Sequence, residues 1–164
     1  MSNKISDIIG KNVDKVVSKK VSDVMTCNIV TLDQDNSIKD AAQVMKSQDI
    51  GFIPIIRDNS LIGVVTDRDL VTRGYAEDLP ENTQLRDVMT DYCIAVERDT
   101  SIDDVAEIMA ENKIRRVCVL DQGELIGVCA IGDLAISRNT KRDAGIALSE
   151  ISIPSKLNIL ITNH

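Results

Sequence analysis

Residues 61–70, Leu61-Ile62-Gly63-Val64-Val65-Thr66-Asp67-Arg68-Asp69-Leu70, recur 64 positions later as Leu125-Ile126-Gly127-Val128-Cys129-Ala130-Ile131-Gly132-Asp133-Leu134. Each stretch is an apolar, β-branched run that opens after a turn signal and ends at the start of a helical pattern, so it reads as a strand feeding a helix. Extending the match outward aligns residues 21–71 with 85–135 without a gap, and 17 of these 51 positions are identical. Unrelated stretches of average composition would share about three. The chain is therefore one supersecondary unit used twice in tandem.

Each copy reads alike. A short helical turn closes on Asp23-Val24-Met25-Thr26 or Asp87-Val88-Met89-Thr90, and an extended piece follows, Ile29 to Leu32 or Ile94 to Val96. Ser37 and Ser101 are placed to cap helices whose apolar residues recur at helical spacing: Ile38, Ala41, Ala42 and Met45, then Ile102, Val105, Ala106 and Met109. Two strands come next, Phe52 to Ile56 and Leu61 to Val65, joined through Arg57-Asp58-Asn59-Ser60; Asp121-Gln122-Gly123-Glu124 is the second copy's turn. A second helix starts near Thr66 or Ala130. The stretch Asp33 to Ser37 partly matches a calcium loop, but Ile38 stands where the glycine is needed, so it reads as a strand-to-helix turn.

A β-α-β-β-α unit of this size cannot bury its sheet alone. The predicted fold is α/β, two such motifs packed through their sheets with pseudo-twofold symmetry and clefts between them. The predicted organisation is an amphipathic helix within 1–20, motifs over 21–80 and 81–140, and a C-terminal helix and tail over 141–164. The first of these helices is expected over 4–18 and the last over 144–151.

Composition narrows the function. Apolar residues make up 43% of the chain and aromatics 2%, so the core is aliphatic. The formal charge of −7 disfavours nucleic acid and anionic membranes as partners, because both need a basic surface. No apolar run approaches the ~20 residues that span a bilayer, and the expected location is the cytoplasm. Histidine occurs only at His164, and Cys27, Cys93, Cys118 and Cys129 show no C-x-x-C spacing; a metal site is not expected. Cys93, Cys118 and Cys129 lie in strand-like apolar runs and read as small core residues rather than a disulfide framework. No catalytic constellation is present, so the chain is not read as an enzyme.

These residues resemble a family, the tandem CBS-domain pair. The markers are Asp23-Val24-Met25-Thr26, Ile50-Gly51-Phe52-Ile53-Pro54-Ile55 and Gly63-Val64-Val65-Thr66-Asp67-Arg68-Asp69, with Ile114-Arg115-Arg116-Val117 and Gly127-Val128-Cys129-Ala130-Ile131-Gly132-Asp133 in the second copy. The resemblance covers 21–138. It implies clefts between the copies that hold AMP, ADP, ATP or S-adenosylmethionine, a homodimer, and a regulatory role toward an unidentified protein target.

The ligand residues expected on this basis begin with Thr66 and Asp69. Helix-start N–H groups and the Thr66 hydroxyl suit a phosphate, and Asp69 suits ribose hydroxyls. Gly63 would let a ligand approach the backbone, and Val64 belongs to the apolar wall around the adenine. Arg115 and Arg116 are expected to reach phosphate, Arg116 in preference, since neighbouring strand residues face opposite sides. Thr66 and Asp69 also have the composition of an ordinary cap. Asp133 is expected to serve a weaker cleft, with Ala130 in place of the hydroxyl and Gly51 and Phe52 in place of the arginines. A dimerisation scaffold without ligand is the rival reading, and S-adenosylmethionine or a dinucleotide in the same clefts is another.

Overall fold

The computed structural model describes residues 19–136; the two flanking helices expected over 4–18 and 144–151 lie outside the described residues. The first copy runs β1 (Leu32–Asp33), α1 (Ile38–Gln48), β2 (Phe52–Arg57), β3 (Ser60–Thr66) and α2 (Asp67–Asp69), and α2 continues through a π-helical turn over Leu70–Gly74. The second copy runs through the counterparts of these elements in the same order: β4 (Ala95–Glu97), α3 (Ile102–Asn112), β5 (Arg116–Asp121), β6 (Glu124–Ala130) and α4 (Ile131–Ile136). This is the expected α/β arrangement.

Local chemistry accounts for the element ends. The Ser37 hydroxyl accepts the Asp40 N–H at 3.1 Å, and the Ser101 hydroxyl accepts the Asp104 N–H at 3.1 Å, satisfying one orphan donor at each helix start. Asp49 and Lys113 end α1 and α3 in the left-handed conformation, at φ 53° and 54°. The turn before α1 is held by Asn36, whose side-chain oxygen accepts the Asp33 N–H at 2.8 Å.

Each copy forms a three-stranded sheet, ordered β1-β2-β3 and β4-β5-β6, with the first pair parallel and the second antiparallel. Even the register irregularities repeat, between Ile55 and Ile56 and between Val119 and Leu120. The first strand of each copy starts later than its apolar run does, at Leu32 rather than Ile29. The preceding residues are diverted. Thr26 leaves its own copy and bridges Val128 on β6, with reciprocal backbone bonds of 2.9 and 3.0 Å, and Thr90 bridges Val64 on β3 at 2.9 and 3.0 Å.

The lead segments are thereby exchanged. Leu85 and Val88, from the start of the second copy, are fully buried in the cluster of Ala41, Met45, Ile53, Ile55 and Val65. Val21, from the start of the first copy, is fully buried with Val96, Ile102, Val105, Met109, Val117 and Leu134. Backbone bonds secure both insertions: Leu85 N–H to Asn36 at 2.8 Å, and Val21 N–H to Thr100 at 2.8 Å. Two cores result, each completed by the other copy, which ties the halves together through burial as well as through the bridges.

Candidate ligand clefts

The crossovers decide what the clefts are made of. One cleft, about 380 Å³, is walled by Thr26, Asn28, Ile29 and Val30 of the first crossover, by the α1–β2 junction from Gln48 to Phe52 with Pro54, and by Val128, Ala130, Asp133 and Arg116 of the second copy. Its volume lies in the range of small-ligand sites. Gly51 and Phe52 were expected at the Asp133 cleft, but the crossover residues and Gln48 to Ile50 were not recognised in the sequence as its walls. Their apolar spacing was visible, but nothing local marks a segment that departs to the other sheet.

Gly63 and Gly127 serve the crossovers. A Cβ on Gly63 would collide with the Thr90 carbonyl oxygen, and one on Gly127 would collide with the Met25 sulfur. The close approach expected at Gly63 is therefore made by backbone of the same chain, a correction to the reading of this glycine as a ligand contact. Val64 is engaged in the same way, through both its N–H and its carbonyl with Thr90.

Thr66 and Asp69 form a closed cap. The Thr66 N–H and hydroxyl donate to one Asp69 carboxylate oxygen at 2.9 and 2.7 Å, and the Asp69 N–H donates back to the hydroxyl at 3.2 Å. The other Asp69 oxygen lies 3.7 Å from the Arg73 Nε. Arg73 also donates to the Val88 and Met89 carbonyl oxygens at 3.1 and 2.8 Å, pinning α2 to the second copy's lead segment. Both polar groups expected to face a ligand thus already have partners within the protein.

Asp133 differs because Ala130 has no hydroxyl. One carboxylate oxygen accepts the Ala130 N–H at 2.7 Å, and the other has no hydrogen-bond partner among the described residues. Burial, and to a lesser degree the charge of Asp133, pushes the neighbouring Cys129 thiol up to about 12.

Arg116 lines the Asp133 cleft, whereas Thr66, Asp69, Val64 and Arg115 do not. No arginine pair was expected at Asp133, and a single arginine, Arg116, lines this cavity; strand register explains its place. Arg116 is directly paired with Ala130 across β5 and β6, which sets it beside its own copy's helix start. Its guanidinium carbon lies 5.9 Å from the centroid of the Phe52 ring, a cation–π distance. Arg115 is exposed, and its carbonyl accepts the Ile131 N–H at 2.9 Å.

Cys118 and Cys129 are fully buried, as expected for core residues, whereas Cys93 is only partly buried. Among the described residues no group of three or more histidine, cysteine, aspartate or glutamate side chains is placed to hold a metal ion, and no helix is long and apolar enough to cross a membrane.

A repeated α/β unit with exchanged lead segments and a cleft between copies defines a paired-domain module, and the family comparison is direct: the CBS domain model matches residues 21–75 and 85–137, and the chain belongs to the CBS-domain family. Protein YlbB of Bacillus subtilis is 38% identical over 135 residues, covering 81% of this chain and 91% of YlbB. Among solved structures, Hypoxic Response Protein I with two coordinated zinc ions is 30% identical at a TM-score of 0.66, covering 71% of this chain and 97% of its own. CBSX2 in complex with AMP is 31% identical at a TM-score of 0.63, covering 70% of this chain and 91% of its own.

Proposed function

We propose that this protein is a regulatory sensor that binds an adenine nucleotide, AMP in preference to ADP and ATP, in the cleft of Asp133 and Arg116. One observation carries this reading: a carboxylate with an unused oxygen and a permanent cation line the same cavity, with apolar walls between them. The ribose hydroxyls donate to Asp133. The adenine sits between Ile29, Val30 and Pro54. Arg116 holds the phosphate with its planar fork of donors.

The preference for the monophosphate follows from charge. Arg116 is the lone basic residue among the cleft's walls, and Asp49 at the rim is acidic. Further phosphates would meet a carboxylate rather than a second guanidinium. The likeness to CBSX2, which was solved with AMP, supports the ligand class.

Binding would bridge the copies, because the cleft takes its crossover wall from the first and Asp133 and Arg116 from the second. A ligand that touches both halves shifts whichever orientation it fits better. In this reading the protein acts as a cytoplasmic homodimer whose altered shape a protein target recognises. Calorimetry of the full chain with AMP, ADP and ATP tests the proposal. Binding of none of them at millimolar concentration leaves the scaffold reading in its place, and competition of AMP by S-adenosylmethionine would reassign the ligand.

A further inference from the structure

The sulfurs of Cys93 and Cys118 lie 3.2 Å apart, closer than two unbonded sulfurs ordinarily approach and about 1.2 Å longer than a disulfide bond. Other features of the pair give this contact chemical direction. Cys93 lies in the second crossover, three residues beyond the Thr90 that bridges Val64, and is partly buried; Cys118 lies in the middle of β5 and is fully buried. The adjacent Cys118 thiol holds the Cys93 thiol below the usual range, while Cys93 and burial together push Cys118 well above it. Cys93 is thus the sulfur placed to meet an oxidant from solvent, and the buried one is its neighbour.

The repeat says where this pair sits. Cys93 and Cys118 correspond to Ile29 and Pro54, 64 positions earlier, and Ile29 and Pro54 wall the Asp133 cleft from the crossover and from the sheet. By the repeat, Cys93 and Cys118 hold the equivalent two places on the Asp69 side. The first pair cannot be cross-linked, whereas the second is two thiols in contact, so the two sides differ in chemistry.

We propose that Cys93 and Cys118 form a reversible disulfide that tethers the second crossover to β5 in response to peroxide. The Cys93 thiolate attacks one oxygen of hydrogen peroxide, the O–O bond breaks, and hydroxide leaves and is protonated to water. Cys93 then carries a sulfenic acid. The Cys118 sulfur displaces its hydroxyl group: the S–O bond breaks, the S–S bond forms, and the Cys118 proton departs with the hydroxyl as a second water. Two thiols lose two electrons and one peroxide is reduced to two waters. A dithiol reductant reverses the bond by exchange.

The tether acts on Thr90 and Val64, whose reciprocal bonds hold the crossover against β3. With Cys93 fixed to β5, the segment carrying Thr90 loses freedom to peel from the first copy. The device does not depend on which ligand the clefts bind.

Treatment of the folded, reduced full chain with hydrogen peroxide, followed by mass spectrometry, tests this. The expected result is loss of two hydrogen masses, a cross-linked peptide pair holding Cys93 and Cys118, reversal by dithiothreitol, and about tenfold slower amide exchange at Val64 and Thr90 in the oxidised form. Cys93→Ser and Cys118→Ala should each abolish the cross-link, while Cys27→Ser leaves it. The wild-type peptide map needs no variant, so a misfolded substitution cannot obscure the answer. Oxygen addition at Cys93 without a cross-link, a cross-link through Cys27 or Cys129, or one that forms only in denaturant overturns the disulfide. A disulfide with unchanged exchange at Val64 and Thr90 overturns the tether.

Discussion

Arg116 and Phe52 stand at equivalent positions of the two copies, 64 residues apart, and they meet each other, with the guanidinium carbon 5.9 Å from the ring centroid. A position that contacts its own counterpart lies at the pseudo-twofold axis. There the symmetry is broken by chemistry, since one copy supplies a cation and the other an aromatic face. The arginine is thus oriented by stacking and remains close to the cleft, where it can form charged hydrogen bonds.

Arg116→Ala should weaken AMP binding by roughly 10- to 100-fold, the range for losing a hydrogen bond to a charged group. Arg116→Lys should recover part of this, since the charge remains but the planar fork does not. Phe52→Ala should cost less than Arg116→Ala. Titration calorimetry measures all three, and equal affinity in Arg116→Ala and wild type would remove the arginine from the site.

Asp133→Ala and Asp69→Ala should separate two roles. The first should lower AMP affinity at least tenfold, and because Asp133 also accepts the Ala130 N–H it should cost about 1 kcal/mol of stability as well. The second removes the acceptor of both Thr66 donors, so it should destabilise the start of α2 by about 1 kcal/mol and leave AMP affinity within about twofold. The opposite pattern of affinities would move the nucleotide to the Asp69 cleft.

Leu85→Ala should destabilise the protein by about 2–5 kcal/mol, the range for a buried leucine, measured by denaturant unfolding. The location of the damage is the more telling readout. Leu85 belongs to the second copy in sequence but fills the first copy's core, so faster amide exchange should appear in β2 and β3 rather than in β5 and β6.

Gly63→Ala and Gly132→Ala should have opposite signs. The first drives a methyl group into the Thr90 carbonyl oxygen, whereas a Cβ at Gly132 meets nothing within 4 Å. Gly63→Ala should therefore lower the melting temperature and loosen the bridge between Val64 and Thr90. Gly132→Ala, within α4, should stabilise by about 0.5–1 kcal/mol. Thermal melts of the two variants decide this.

Much of the fold was legible because it is local. The cap at Ser37, the helical spacing of Ile38, Ala41 and Met45, and the turn through Asp58-Asn59 each depend on residues within a few positions of one another. Chain duplication then made every assignment checkable against its counterpart. The site was less legible. Thr66 and Asp69 carry the fuller motif, yet their groups satisfy each other, and the poorer motif at Ala130 and Asp133 is the one that leaves a carboxylate oxygen unused. Composition at a helix start does not say whether a side chain turns inward to cap or outward to bind.

By itself the sequence determined the tandem repeat, the two sheets with their covering helices and the aliphatic character of the cores, since periodicity and capping arise from neighbours along the chain. Only the tertiary structure decided that the lead segments change places, that Arg116 lines the Asp133 cleft and that Cys93 rests against Cys118. Val21 and Leu85 are equally apolar and would suit either core. The choice between cores is made by long-range packing and by the reciprocal bonds of Thr26 with Val128 and Thr90 with Val64, which leave no periodic trace in the chain.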